Sequence, residues 1–195
     1  MIPLWLIGGG GHCKSCIDVI ESTSSFKILG IIDDKEKIGQ KINAYSIVAS
    51  DSDIQALLQE SNQFCITIGQ IHTSEIRRKI YTFYKEHGAS FPVIQASTCI
   101  VSNTAMIQEG TMIMHQAFVN ASAKIGRCCI INSKALIEHD CLIEDFVHIS
   151  TGAIVNGDSY IRQGSFIGSG TVTRHLAYIS ENSFIKAGSV VKSKK

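Results

Sequence analysis

Several things are scarce in this chain of 195 residues, and each scarcity narrows the possibilities. Only two prolines accompany sixteen glycines, which excludes a collagen-like or proline-rich linker composition. Neither sign of charge dominates: eighteen basic residues face seventeen acidic ones, for a net +1. Nothing therefore draws the chain as a whole toward nucleic acid or anionic lipid. Long hydrophobic runs are missing too. The longest, Ile2 to Ile7, falls far short of the roughly 20 residues a membrane span needs. A basic leader and a small-residue cleavage site are absent, so no secretion signal is expected. The seven cysteines are an odd count with no framework spacing, as reduced thiols in a cytoplasmic protein would be. What the chain does have is an apolar fraction of 45%, enough for a sizeable core.

Up to about Phe91 the sequence alternates strand and helix. Leu4-Trp5-Leu6-Ile7 is a short apolar run ending in four glycines, as in a strand buried on both faces. Cys13, Cys16, Ile17 and Ile20 then recur at helical spacing, which makes packing the reading for the Cys13–Cys16 pair rather than redox chemistry. Ile28 to Ile32 reads as a second strand, stopped by Asp33 and Asp34. Asp51 to Glu60 reads as a helix capped by Asp51, and Phe64 to Ile68 as a third strand ending at Gly69. Ser74 to His87 predicts a helix with Ile76, Ile80 and Phe83 on its apolar stripe and Gly88 as its stop. Phe91 to Ile94 reads as a fourth strand. Alternation at this spacing means a small parallel sheet.

From Val101 a period of six takes over. Every sixth residue through Ile107, Ile113 and Val119 to Ile185 and Val191 is Ile or Val, apart from Thr173. Two residues before each stands a small one, such as Ala117, Ala135 or Ala153, and only Val147 breaks that register. Neither a helix nor an ordinary strand generates sixteen hexads in phase. The physical solution is a triangular parallel β-helix, in which three hexads make one turn and residues 18 apart stack about 4.8 Å from one another. The branched residues fill the interior, and the small ones are expected to turn the corners.

Isoleucine-led hexapeptides resemble those of the left-handed β-helix acyltransferases. Joined to the opening Ile7-Gly8-Gly9-Gly10-Gly11-His12, they are similar to a subgroup of nucleotide-4-amino-sugar N-acetyltransferases and sialic acid O-acetyltransferases. The most specific stretch is Asn132 to Gly152, with an Ile-Glu-His-Asp-Cys core and a second histidine nine residues on. The resemblance implies a Rossmann-like nucleotide-sugar-binding domain over residues 1–94 and a left-handed β-helix acetyltransferase domain over residues 95–195. It implies acetyl-CoA as co-substrate, a nucleotide-linked amino sugar as acceptor, and a homotrimer with its reaction centre between subunits.

The same resemblance distributes roles. His139 becomes the base that deprotonates the sugar amine, Asp140 its orienting partner, and Gly157 the backbone amide that faces the oxyanion. His148, Gly152, Gly168, Ser169 and Ala187 match the acetyl-CoA positions, and Asn132 matches a polar residue of the same pocket. Gly10, Gly11, His12, Asp33, Asp34 and Gly69 match the sugar-nucleotide edge. The residues agree independently on that edge, since glycines between a strand and a helix let a ligand reach the helix N-terminus. As a dinucleotide fingerprint the run is incomplete, with Cys13 where a third glycine belongs. His72, His87, His115 and His175 are read as inert. His139 and His148 are nine apart, unlike the five-residue pair of solenoid carbonic anhydrases, so no metal is expected.

Three departures from the family stand out. Gln70 follows Gly69 where Asn is usual, Gln95-Ala96-Ser97 replaces a His-led segment, and Lys192-Ser193-Lys194-Lys195 takes the place of a Gly-x-Pro-Ala-Lys ending. The alternatives carried forward are O-acetylation of a sialic or nonulosonic acid and a non-catalytic nucleotide-sugar-binding scaffold.

Overall fold

The computed structural model describes residues 1–192, so Ser193, Lys194 and Lys195 of the closing segment lie outside the described residues. The chain forms two compact units, Met1–Gly69 with Ile76–Pro92, and Gln70–Glu75 with Val93 onward. Among the described residues no helix is long and apolar enough to cross a membrane.

The first unit is built on β1 (Ile2–Ile7), β2 (Phe26–Ile32), β3 (Lys41–Ile42), β4 (Tyr45–Ala49) and β5 (Phe64–Ile66), in the order β3-β4-β2-β1-β5. All pairs are parallel except β3 with β4. The helices are α1 (Gly11–Thr23), α2 (Ile54–Glu60) and α3 (Glu75–Glu86). Chain order reverses at β1, with β2 on one side and β5 on the other, which is where a ligand crevice opens in such sheets. Cys13 and Cys16 are fully buried on α1, a packing role.

Four expectations are corrected here. Phe91 to Ile94 is not a strand of this sheet. Only Ser90 bridges to Gln63, while Ile94–Gln95 pairs with Met112–Ile113 as the first strand of the solenoid. The additional strand is β4, whose buried Ile47 and Ala49 alternate with the exposed Val48. Ser50 caps the next helical turn together with Asp53, whereas Asp51 accepts from the Tyr84 hydroxyl at 2.6 Å. On α3 the buried residues are Arg77, Tyr81 and Tyr84, and Ile76 is 53% exposed. The isoleucine stripe faces the cleft described below.

The second unit winds as a three-faced parallel prism. Its sheets have six, six and five two-residue strands, all in an 18-residue register such as Phe118↔Leu136↔Ile154. We call the faces first (starting at Ile94–Gln95), second (starting at Ile100–Val101) and third (starting at Met106–Ile107). The branched residues form columns with almost no exposure, among them Val119, Ile137 and Val155. Thr173, the exception, is also fully buried: its hydroxyl accepts the Asn156 amide at 2.9 Å. A hydroxyl is tolerated there because it meets a donor.

The turning is done elsewhere than expected. Every sixth residue from Gly110 to Gly188 has a positive φ, fourteen in succession, including Lys134, Asp140 and Asp158. These left-handed residues bend the backbone. The small residues that follow them, such as Ala135 and Ala153, are buried beneath the corner, where the narrowing interior has no room for more.

Candidate functional site

In the first unit, a cleft of about 660 Å³ lies at the C-terminal ends of β1, β2, β4 and β5. Gly10, Gly11, His12, Asp33, Asp34 and Gly69 all line it. Side chains added at Gly10 or Gly11 would meet nothing, so the start of α1 is open to the cleft, and no side chain caps it. Its exposed N–H groups suit an anion such as a phosphate. Asp33 is pinned by three donors: Gly9 N–H at 2.6 Å, Asp34 N–H at 2.7 Å and Lys37 Nζ at 2.8 Å. Together these contacts hold its carboxyl below the usual range against a burial effect that would raise it. Burial, helped by the nearby Arg77 cation, pulls His12 down to about 4, so it faces the cleft as a neutral imidazole. Ile76 and Ile80 of α3, with Ser50 to Ser52, complete the wall, although the sequence reads Ile76 and Ile80 as a packing stripe and Asp51 as a cap.

In the second unit, the edge between the second and third faces carries His139, Asp140 and Gly157. His139 is half exposed and its Nδ1 lies 2.8 Å from Asp140 Oδ2. The left-handed turn at Asp140, with φ 57°, belongs to the corner itself and sets the two side chains side by side. That hydrogen bond raises the His139 pKa above its ordinary value, and Asp158 and Glu138 add to the effect. One coil on, Gly157 lies against the ring: a Cβ there would stand 2.7 Å from Nε2. With Nδ1 bonded to Asp140, Nε2 is the nitrogen that faces Gly157. His175, read as inert, comes into this neighbourhood, its ring centroid 6.3 Å from that of His139 and its Nε2 3.5 Å from Asp158 Oδ2. The 18-residue register stacks His139, Gly157 and His175, and Asp140 under Asp158, so spacing alone could have found both.

The edge between the first and second faces gathers Asn132, Gly152, Gly168, Ser169 and Ala187, with His148 at its margin. Ser169 and Ser150 share a hydroxyl contact of 2.9 Å, and Gly168 lies directly beneath Ala187. His148 is only 6% exposed and both of its nitrogens are engaged. Nδ1 donates to the Gln70 carbonyl at 2.6 Å, and Asn132 Nδ2 donates to Nε2 at 3.0 Å. A carbonyl can only accept, so Nδ1 carries the proton of that bond. Its ring braces the segment from Gln70 onto the solenoid. Gln70 belongs to the same brace: its longer side chain donates to the carbonyls of Phe146 and Gly164, and His72 stacks on Phe184.

A glycine-loop α/β unit followed by a hexapeptide prism, with an imidazole–carboxylate pair exposed on one edge, is the arrangement of an acetyltransferase built on the left-handed β-helix. Comparison with known proteins agrees. Residues 3–83 match the PglD N-terminal domain family. The whole chain is similar to the acetyltransferase domain of PglB from Neisseria gonorrhoeae FA1090, with 28% identity over 98% of this chain and 91% of that one, at a TM-score of 0.89. The same domain in complex with acetyl coenzyme A matches at 26% identity and a TM-score of 0.87, over 97% of this chain and 92% of that one. PerB from Caulobacter crescentus, in complex with CoA and GDP-perosamine, shares the fold at 21% identity and a TM-score of 0.67, covering 97% of this chain and 93% of that one. The chain is an acetyltransferase of this architecture.

Proposed function

We propose that the protein transfers an acetyl group from acetyl-CoA to the 4-amino group of a nucleotide-linked deoxy sugar, in the synthesis of a surface glycan or glycoprotein. The single observation that carries the reading is the His139–Asp140 pair lying over Gly157. His139 Nε2 takes a proton from the amine as its nitrogen attacks the thioester carbonyl. The Gly157 amide faces the oxyanion of the tetrahedral intermediate. The C–S bond then breaks, and His139 returns the proton to the departing thiolate of CoA. The first unit's cleft takes the nucleotide part, with its phosphates toward the start of α1.

The negative surroundings of His139 favour an amine over a sialic acid. Asp140, Asp158 and Glu138 all bear on its imidazole, which suits an amine whose nitrogen gains positive charge as it attacks and repels an acceptor that carries a carboxylate. CoA is assigned to the edge with Gly152, Gly168, Ser169 and Ala187. Within one chain that edge and the His139 edge are separated by the second face. All of that face's outward residues are apolar, from Ile100 at 60% exposure through Phe118, Leu136, Ile154 and Val172 to Val190 at 64%. Packing three copies on such faces brings the His139 edge of one beside the CoA edge of another, the basis for a homotrimer.

The test is release of CoA thiol over a panel of UDP-, GDP- and dTDP-linked 4-amino sugars and free sialic acid. Turnover with an amino sugar and none with sialic acid is expected, and the reverse pattern overturns the assignment. A pH profile checks the pair. Since Asp140 raises the His139 pKa, the acid limb of kcat/KM lies above the ordinary histidine value, because the base must be unprotonated. In Asp140→Asn that limb is expected to move to lower pH while the plateau falls about tenfold. An unmoved limb would remove Asp140 from the mechanism.

A further inference from the structure

Two carboxylate–imidazole pairs stand one above the other on the edge that carries His139. The lower is Asp140 with His139 at 2.8 Å, and the upper is Asp158 with His175 at 3.5 Å. The two rings lean toward each other, 6.3 Å between centroids, across the coil of Gly157. Gly157, in the coil between them, lets the His139 ring sit against its backbone, since a Cβ there would run into His139. One ring nitrogen of His139 and one carboxylate oxygen from each of Asp140 and Asp158 lie within 4.8 Å of one another.

That spacing has a chemical meaning. A tetrahedral nitrogen giving two N–H bonds of about 2.9 Å each spans acceptors about 4.7 Å apart. Acceptors within 4.8 Å of one another are therefore close enough for a single nitrogen to reach two of them. Asp140 already accepts from His139 Nδ1, whereas Asp158 meets only the longer contact with His175 among its side-chain contacts on this edge.

We propose that Asp158, held from the coil above by His175, binds the acceptor's amino group and sets the preference for amine over hydroxyl acceptors. This rests on the acetyl-transfer reading above. A neutral amine has two N–H groups, so one proton can go to His139 while the other bonds to Asp158. A hydroxyl has a single proton, which the base must take, and then nothing is left to satisfy the second carboxylate. Asp158 touches the acceptor, and His175, which acts through Asp158, is a positioning residue.

The test is steady-state kinetics of the full chain with the amino sugar that the thiol-release panel finds active, for wild type, Asp158→Asn, His175→Ala and His175→Gln. Asp158→Asn is expected to raise the KM for the amino sugar about tenfold or more, with the KM for acetyl-CoA unchanged, as loss of one charge-assisted hydrogen bond requires. It should also lower the ratio of turnover with the amino sugar to turnover with its 4-hydroxy counterpart. His175→Ala should raise the acceptor KM about threefold or more, and His175→Gln, which still offers an N–H toward Asp158, should recover most of that loss. An unchanged acceptor KM in both Asp158→Asn and His175→Ala, or a fall in kcat alone, overturns the proposal. Should Asp158→Asn lose its fold by circular dichroism, the His175→Ala and His175→Gln comparison decides by the same criterion. Wild-type protein that acetylates no amino sugar would instead overturn the reading beneath it, a result distinguishable from either.

Discussion

Gly157→Ala is expected to abolish nearly as much turnover as His139→Ala. The added methyl would sit 2.7 Å from His139 Nε2 and 2.8 Å from Cε1, closer than any carbon can stand. The backbone at residue 157 cannot retreat, because its carbonyl accepts from Leu176 N–H and the next amide, of Asp158, donates to the His139 carbonyl. The imidazole must therefore swing away, which breaks its contact with Asp140 and carries Nε2 off the acceptor. Misplacing a general base costs about what its removal does, roughly 10²–10⁴ in rate. Both variants should fall in kcat within that range while binding CoA as the parent does, measured by calorimetry with CoA alone. Full turnover in Gly157→Ala would mean that the ring is not used in the position it occupies here.

A second large effect is expected on stability. Gly168 lies beneath the coil that carries Ala187, and a Cβ would come within 2.4 Å of the Ala187 nitrogen and 2.7 Å of the Ile185 carbonyl. The obstructing atoms are backbone, and the same carbonyl accepts the Gly168 amide at 2.9 Å. Relief requires the last coils to lift away from the one below. Gly168→Ala should therefore cost about 3 kcal/mol, the scale of overpacking in a close-packed interior. For a chain of this size that is a fall of roughly 10 °C in thermal midpoint. Scanning calorimetry checks it, and the loss should be accompanied by weakened CoA binding, since the disturbed edge is the one assigned to CoA. A midpoint within a degree or two of the parent would show that the coils slide freely, contrary to the ladder that joins them.

The two halves of the chain differ in how openly they declare themselves. The solenoid is legible because its contacts are periodic: a residue's environment repeats 18 positions on, so Ile137 or Ala153 announces its place by its number. The outward corner place of His139, two residues after the interior Ile137, follows from the same count, while its role comes from the resemblance. His175 follows from that register too, two coils above His139, yet it reads as inert because no motif of the resembled family claims it, and Asp158 is not singled out at all. The first unit has no such repeat. Its β4 is faint in the sequence because Ser46 and the exposed Val48 dilute the apolar signal, and the stripe of Ile76 and Ile80 has the pattern of core although it faces a cleft.

His148 marks the boundary between the two kinds of knowledge. Its register position is plain from the sequence, but its state depends on Gln70, 78 residues earlier, whose carbonyl claims Nδ1. By itself, the amino-acid sequence determined the period of six, the triangular coil, the glycine-loop unit before it and the outward place of His139, since all of these follow from local spacing. Tertiary structure alone decided which imidazole keeps a nitrogen free and which glycines have backbone overhead. Those are properties of atoms distant in the chain, and only folding brings them within hydrogen-bonding reach.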